Sequence, residues 1–363
     1  MTNINKIAQD GFSLATGDKK LKSLAMVSLK IALQAYFLTF KAMMRSVKLF
    51  EPGQGKTDQA EIDSGHTSDY CQNCAEAIVH FQHFAELVCK DFLRAEHDLL
   101  AIDATQKPVI LHKLLKKETV TEAEYERINT VEFGEALARL CALIKEGRIG
   151  VRKLEFISDA KNFLDTLNTL RNREWHRGAF ILRYPALDHL VGEHILPFVS
   201  KVIALPEYAD LSYYWTYQQL ACGIDPIGEI ISTCNGGKFD LKKVALLKEL
   251  GRAAYENPLF TGPFAEQFNK DYHRRAKHLA ESEVEHGGGA DLKICPVCGI
   301  KSLVVYDDTY YEDEDFETGT FNRGWRFTWQ VQCMCCTFEI TDHLENPSKY
   351  GLAMEDFWQA EKI

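Results

Sequence analysis

The sequence predicts a mainly α protein: an antiparallel helical bundle with helical extensions and a small β module near the C-terminal end. Three observations predict it. Apolar residues recur at three- and four-residue steps through most of residues 19–285, the period of a helix with one buried face. Glycines, prolines and capping residues interrupt that pattern where helices should begin and end. Beyond Gly287-Gly288-Gly289 the pattern changes to alternation, and two closely spaced groups of cysteines bracket it.

Composition sets the bounds. A chain of 363 residues suffices for two or three domains, and 46% hydrophobic with 26% charged residues is the balance of a globular protein. A net charge of −10 excludes a surface coated for nucleic-acid binding but leaves room for a local basic groove. Residues 142–183 are one such stretch, with nine Lys or Arg against five Asp or Glu. Eleven cysteines in a chain this long do not make a secreted disulfide scaffold, so the expected compartment is a reducing cytoplasm. Residues 1–20 are polar and lack a signal-peptide core. Residues 21–44 are apolar-rich, but Lys22, Lys30 and Lys41 interrupt the run of about 20 apolar residues that a bilayer crossing needs. A buried or interfacial helix is expected there, and no membrane.

The first helix runs from about 19 to 49 on Leu24, Val27, Ile31, Leu38 and Met43-Met44. Residues 50–57 end like a phosphate-binding loop, but the motif's first glycine falls on Phe50 and the segment follows a helix rather than a strand, so it reads as a Pro/Gly loop. A second helix covers 70–100 and buries Ile78, Phe81, Ala85 and Val88. Its Glu86 and Lys90 form an i,i+4 pair, in the simplest reading a surface salt bridge. Cys71, Cys74, His80 and His83 share that helix, and one continuous helix does not readily wrap four ligands around a tetrahedral ion. Thr121 and Glu124 fit a capping box that opens a helix to about Lys145, with Val131, Phe133, Leu137, Leu140 and Ile144 inside. One helix then covers 151–177, limited by Gly178 and Pro185, and another 189–203. Residues 206–285 are a further helical region. Its Tyr208, Tyr213, Tyr214, Trp215 and Tyr217 read as packing, and its basic turn at 272–278 offers Arg274, Arg275 and Lys277 to a phosphate backbone or to solvent. The expected domains are 1–68 (helix and loop), 69–205 (bundle), 206–285 (extension), 286–294 (flexible linker), 295–345 (cysteine module) and 346–363 (tail).

The candidate site lies on the 151–177 helix. Arg171, Asn172 and His176 fall within six residues, and on a helix Asn172 and His176 stand one turn apart on the same face. They combine an imidazole that moves protons near neutral pH, a fixed guanidinium fork and an orienting amide. Arg171-Asn172 followed by His176 resembles the motif of the HEPN superfamily ribonucleases, and the order of the bundle helices is similar to theirs. The resemblance covers about residues 70–205. It implies supporting roles for Glu86 and Lys90, whose spacing matches a pair often found on the family's second helix. Arg173 and Arg177 flank the motif as further RNA contacts.

Near the end, Cys295-Pro296-Val297-Cys298-Gly299 is followed after 34 residues by Cys333-Met334-Cys335-Cys336. Two such pairs on tight turns read as a tetrahedral tetrathiolate zinc site, and the alternating segments between them resemble a zinc ribbon with a long hairpin ending near Thr318-Gly319. Cys295, Cys298, Cys333 and Cys336 are the expected ligands, although spacing alone does not separate Cys335 from Cys336. Four thiolates leave no open position, so the zinc is structural and no catalytic metal is expected. Asp307, Asp308, Glu312, Asp313, Glu314, Asp315 and Glu317 would repel phosphates, which favours a structural or protein-contacting ribbon over a nucleic-acid reader.

The expected function is therefore a metal-independent endoribonuclease. His176 would act as acid and base, Arg171 would stabilise the phosphate and Asn172 would orient either. One histidine does not serve both sides of a phosphorus, which calls for a homodimer through the bundle. The resemblance further implies tRNA or mRNA as target, a toxin or antiviral role, and an antitoxin or regulatory partner. Two alternatives remain: a non-catalytic RNA or nucleotide sensor, and a helical–ribbon protein-interaction module.

Overall fold

The computed structural model describes residues 20–50, 59–103, 107–121, 124, 128–149, 151–177, 180–217, 220–237, 239–315 and 320–362. The chain is mainly helical, with a small antiparallel sheet near its C-terminal end. In chain order, α1 is Lys20–Met43, α2 Gln59–Ser64 and α3 Ser68–Glu96, followed by the two-residue strand β1 at Ile102–Asp103. Next come α4 (Pro108–Leu115), β2 (Asn129–Thr130), α5 (Phe133–Lys145), α6 (Val151–Asp159), α7 (Lys161–Arg177), α8 (Tyr184–Leu190) and α9 (Leu196–Ile203). The rest is α10 (Pro226–Asn235), α11 (Leu241–Glu256), α12 (Ala265–His286), β3 (Asp291–Ile294), β4 (Lys301–Asp315), β5 (Thr320–Cys333), β6 (Glu339–Thr341) and β7 (Ala360–Lys362). Of the expected Pro/Gly loop at 50–57, Phe50 closes a short 3₁₀ turn and the other residues lie outside the described ones.

Packing groups the chain into two units. The first comprises Met1–Leu33, Ala75–Ile181 and Pro197–Thr216. Its core is built from helix faces with the expected spacing: Ile78, Phe81, Ala85 and Val88 of α3, Leu137, Leu140 and Ile144 of α5, and Leu164, Leu167 and Leu170 of α7 are all buried. Phe84, Phe156 and Phe163 each meet the ring of Phe198 from a different helix. A buried carboxylate, Asp91, takes Lys22 at 3.3 Å and the Tyr208 hydroxyl at 3.1 Å. By length and composition Leu21–Met43 is apolar enough to cross a membrane, yet 67% of that window is buried in the fold, the pattern of a core helix.

Two helices of this unit differ from expectation. The capping box exists, with Thr121 N–H donating to Glu124 Oε2 at 3.0 Å and Glu124 N–H to Thr121 Oγ1 at 3.3 Å. It does not open a helix reaching Lys145. Residues 129–130 are extended and pair antiparallel with β1, Ile102 opposite Thr130 and Asp103 opposite Asn129. Ile128 packs in a small core with Ile102, Ile110 and Leu114, and Arg139 holds the turn by donating to the carbonyl of Leu100 at 2.9 Å. A distant strand partner thus overrides a helical period that the β-branched Ile128, Thr130 and Val131 support poorly. The helix expected over 151–177 is interrupted at Ala160, although Ala160 still donates to Phe156 and accepts from Leu164 at 3.0 Å each. The apolar stripe Leu154, Ile157, Leu164, Leu167, Leu170 runs through the interruption.

The second unit comprises Gln34–Cys74, Leu182–Leu196 and Tyr217–Ile363. Its centre is a fully buried ion pair, Lys248 Nζ to Asp188 Oδ1 at 2.7 Å, with the ammonium 4.0 Å from the Tyr184 ring centre and 4.7 Å from that of Tyr36. Burial opposes both charges, raising the Asp188 carboxyl and lowering the Lys248 amine, while their mutual contact favours both and the two ring faces favour the ammonium. Helix α8 begins with Pro185 in its first turn and widens into a π-turn at Val191–Ile195 before α9. This helical stretch therefore starts earlier than the expected 189.

The sheet order is β3-β4-β5-β6, with β7 on β5. The long hairpin pairs Leu303 with Cys333 at its base and Asp315 with Thr320 at its far end, with an irregularity between Tyr306 and Asp307. The expected turn at Thr318-Gly319 lies outside the described residues. No flexible linker separates the sheet from the helices. Helix α12 reaches His286, Gly289 N–H bonds the Glu283 carbonyl, and residues 291–294 are already β3.

Candidate functional site

The cysteine centre sits on two turns, one tied to the loop before α10 and the other to α11 of the same unit. Around the first pair, the carbonyls of Val297 and Pro296 accept from Ala221 N–H at 3.0 Å and Cys222 N–H at 2.9 Å, and Gly299 supplies a left-handed residue at φ 74°. After the second pair comes Thr337, also left-handed at φ 62°. Its carbonyl accepts from Arg252 Nη2 at 2.6 Å, and Arg252 is itself held by the buried Glu249 of α11. The hydroxyl of Thr337 donates to Glu256 Oε2 at 2.6 Å.

These turns bring Cys295, Cys298, Cys333 and Cys336 together with all four sulfurs within 4.8 Å of one another. Cys295 Sγ lies 3.5 Å from Cys336 Sγ, and Cys298 Sγ 3.6 Å from Cys333 Sγ. Four thiolates about 2.3 Å from a tetrahedral ion have edges of roughly 3.8 Å, so the group fits a metal ion. The choice between Cys335 and Cys336 is resolved in favour of Cys336. Cys335 turns its N–H to Cys333 Sγ at 3.3 Å and its thiol is not among the four. Three of the four are buried and the ligand set is closed, so the centre can organise structure but offers no position to a substrate.

The Arg171 site belongs to the first unit. Leu164, Leu167 and Leu170 bury one face of α7 and leave Arg171 half-buried and Asn172 exposed. Arg171 Nη1 donates to Asn172 Oδ1 at 2.9 Å, so the amide oxygen orients the guanidinium. His176 and Arg177 lie in the last turn of α7, and their side chains are outside the described residues. Arg173 lies with its guanidinium carbon 3.8 Å from the ring centre of Phe180, within cation–π range.

On α3, Lys90 Nζ bonds Glu86 Oε1 at 2.6 Å and Thr130 Oγ1 at 3.1 Å, and Gln82 donates to Glu86 Oε2 at 3.1 Å. Lys90 is buried, so the pair is not the surface bridge of the simplest sequence reading. It is part of a polar network that reaches β2, which makes both groups harder to displace. One turn before Glu86, His83 holds Ser28 Oγ at 2.8 Å through Nδ1. Burial lowers the basicity of His83, Glu86 opposes that, and the charges of His80, Lys90 and Arg171 lower it further. Burial is the foremost of these influences on His83 and the charge of Arg171 the last. Sequence reasoning missed His83 and Ser28 in this role. The available signal was the three-residue step from His83 to Glu86, which places both on one helix face.

Arg274, Arg275 and Lys277 are exposed on α12 in the second unit. No family model, curated protein or solved structure matches the chain. The site must therefore be read from its own residues. In chemical terms they are a cation on α7, a half-buried imidazole of lowered basicity on α3, and a carboxylate–ammonium pair beside it.

Proposed function

We propose that the first unit is a HEPN-type, metal-independent endoribonuclease. The observation that carries this reading is the Arg171-Asn172…His176 motif on the single helix α7, where Asn172 Oδ1 holds the Arg171 guanidinium at 2.9 Å. A base removes the proton of a ribose 2′-OH, with His176 in that role. The 2′-oxygen bonds to the adjacent phosphorus, the bond from phosphorus to the 5′-oxygen breaks, and an acid protonates the leaving oxygen. Arg171, aligned by Asn172, stabilises the extra negative charge on the equatorial oxygens. The products are a 2′,3′-cyclic phosphate and a 5′-hydroxyl. A second protomer supplies the second His176, so the active form is a homodimer through the bundle. tRNA or mRNA is the target, and an antitoxin or regulatory protein restrains a toxin or antiviral effector.

The ion of the four-cysteine centre is zinc in this reading, a structural part of the second unit. Cys295, Cys298, Cys333 and Cys336 hold it, and no step of the cleavage passes through it.

The chemistry is tested by the ends of the fragments. Cleaved RNA should carry 2′,3′-cyclic phosphate or 3′-phosphate ends and 5′-hydroxyls, and a substrate with a single 2′-deoxy nucleotide at the cut site should resist. Fragments with 5′-phosphate ends, or cleavage of the 2′-deoxy substrate, would contradict the mechanism.

A further inference from the structure

We infer that helix α12 is a docking platform for single-stranded RNA, separate from the Arg171 site. Of its 22 residues only Asn269, Ala276 and Ala280 are buried, so the helix rests on its unit by a narrow face. Its exposed flank carries an aromatic stripe at four-residue steps: Phe264 is 67% exposed, Phe268 57% and Tyr272 40%. Leu279, 44% exposed, extends it. The stripe is built rather than incidental. Asn269 accepts from Phe260 N–H at 2.7 Å and donates to its carbonyl at 2.8 Å. That clamp sets the exposed ring of Phe260 5.4 Å from that of Phe268.

Charge identifies the occupant. Lys270, Arg274, Arg275 and Lys277 cluster in the middle of the helix with Asp271 among them, while Glu266, Glu281, Glu283 and Glu285 stand toward its two ends, in a chain whose net charge is −10. Arg274 meets Asp271 at 2.8 Å and Lys277 lies 3.7 Å from Glu281, both pairs exposed, where solvent weakens them and a phosphate can compete. At 100° per residue, Arg275 falls inside the aromatic stripe, between Phe264 and Phe268, with Arg274 and His278 on the outer ridge beside it. A cation in the middle of the apolar stripe disfavours insertion into a bilayer or an apolar protein groove. Two copies packed face to face would bring the cations together. A single strand satisfies both features, with bases on the rings and phosphates on Arg274, Arg275 and the Lys270–Lys277 flank. From Phe264 to Leu279 the helix rises about 22 Å, room for roughly four nucleotides. Stacking makes the site tolerant of sequence, and an A-form duplex, whose bases are already stacked, binds less well.

This inference stands apart from the nuclease reading, because binding is measured without turnover. The probe is a labelled 2′-O-methyl oligouridine of about fifteen nucleotides, which 2′-OH attack does not cleave, titrated against the full chain by fluorescence anisotropy. Phe264→Ser/Phe268→Ser should weaken binding about tenfold or more. Arg274→Ala/Arg275→Ala/Lys277→Ala should weaken it and make the salt dependence shallower by a log–log slope of about 2. All substituted residues are exposed, so both variants should keep the wild-type melting temperature. Unchanged affinity in the aromatic variant, or equal affinity for a duplex of the same length, would overturn the proposal. So would an aromatic variant that loses self-association or vesicle binding while its RNA affinity stays as in wild type.

Discussion

At the residue scale, His83 is half-buried on α3 with its Nδ1 2.8 Å from Ser28 Oγ. The burial of His83 holds its imidazole below the ordinary value of 6.5, and Arg171 adds to that while Glu86 opposes it. Arg171→Ala should therefore raise the His83 titration midpoint, and Glu86→Gln should lower it, read from the imidazole resonances in an NMR titration. No movement in either variant would mean that neither charge acts on His83. The sign for stability follows. A histidine with a lowered folded value is protonated first in the unfolded state as pH falls below about 6.5. Its contribution is complete above that value and declines as pH drops toward the folded one. His83→Gln should remove this part of the pH dependence of the denaturation midpoint. Asn172, expected to orient His176 or a phosphate oxygen, accepts from Arg171 Nη1 at 2.9 Å, and the His176 side chain lies outside the described residues.

At the element scale, the features legible in the sequence were those set by local pattern. The buried faces of α3, α5 and α7 follow the three- and four-residue steps, and the long hairpin follows from alternation between two cysteine turns. What was not legible depended on a distant partner. The strand at 129–130 exists because β1 pairs with it, and nothing near Asn129 announces β1. The choice of Cys336 over Cys335 required the turn that Arg252 pins at Thr337. That choice has a direct check: Cys336→Ser should lose the bound metal, measured as metal per chain by elemental analysis, and Cys335→Ser should retain it. Retention by Cys336→Ser with loss by Cys335→Ser would reverse the assignment. The π-turn depends similarly on Gly192, where an added Cβ would lie 2.2 Å from Cys234 Sγ and 3.3 Å from Ile230 Cγ2. Gly192→Ala should cost about 1–3 kcal/mol in chemical denaturation, the range for overpacking a buried site. A variant as stable as wild type would show that α8 and α10 can separate there at no cost.

At the scale of the whole molecule, the sequence suggests a domain boundary at the glycines of residues 286–294, and packing groups residues 217–363 with 34–74 and 182–196 in one unit. The reason is physical. Three glycines among acidic residues look like a linker, but here they turn the chain from α12 into β3, while Ala221, Cys222, Glu249 and Arg252 fasten the cysteine turns to the loop before α10 and to α11 of the same unit. An ion held by the four cysteines would thereby be coupled to the folding of the second unit. The first unit carries the proposed chemistry without that ion. The most direct test of the central claim is cleavage of mixed cellular RNA by the purified full chain in EDTA, wild type beside His176→Ala, with bound metal assayed in both to confirm that the second unit is intact. The account predicts cleavage that survives EDTA and disappears in His176→Ala. Equal cleavage by both proteins, or cleavage abolished by EDTA while the structural metal is retained, would contradict it.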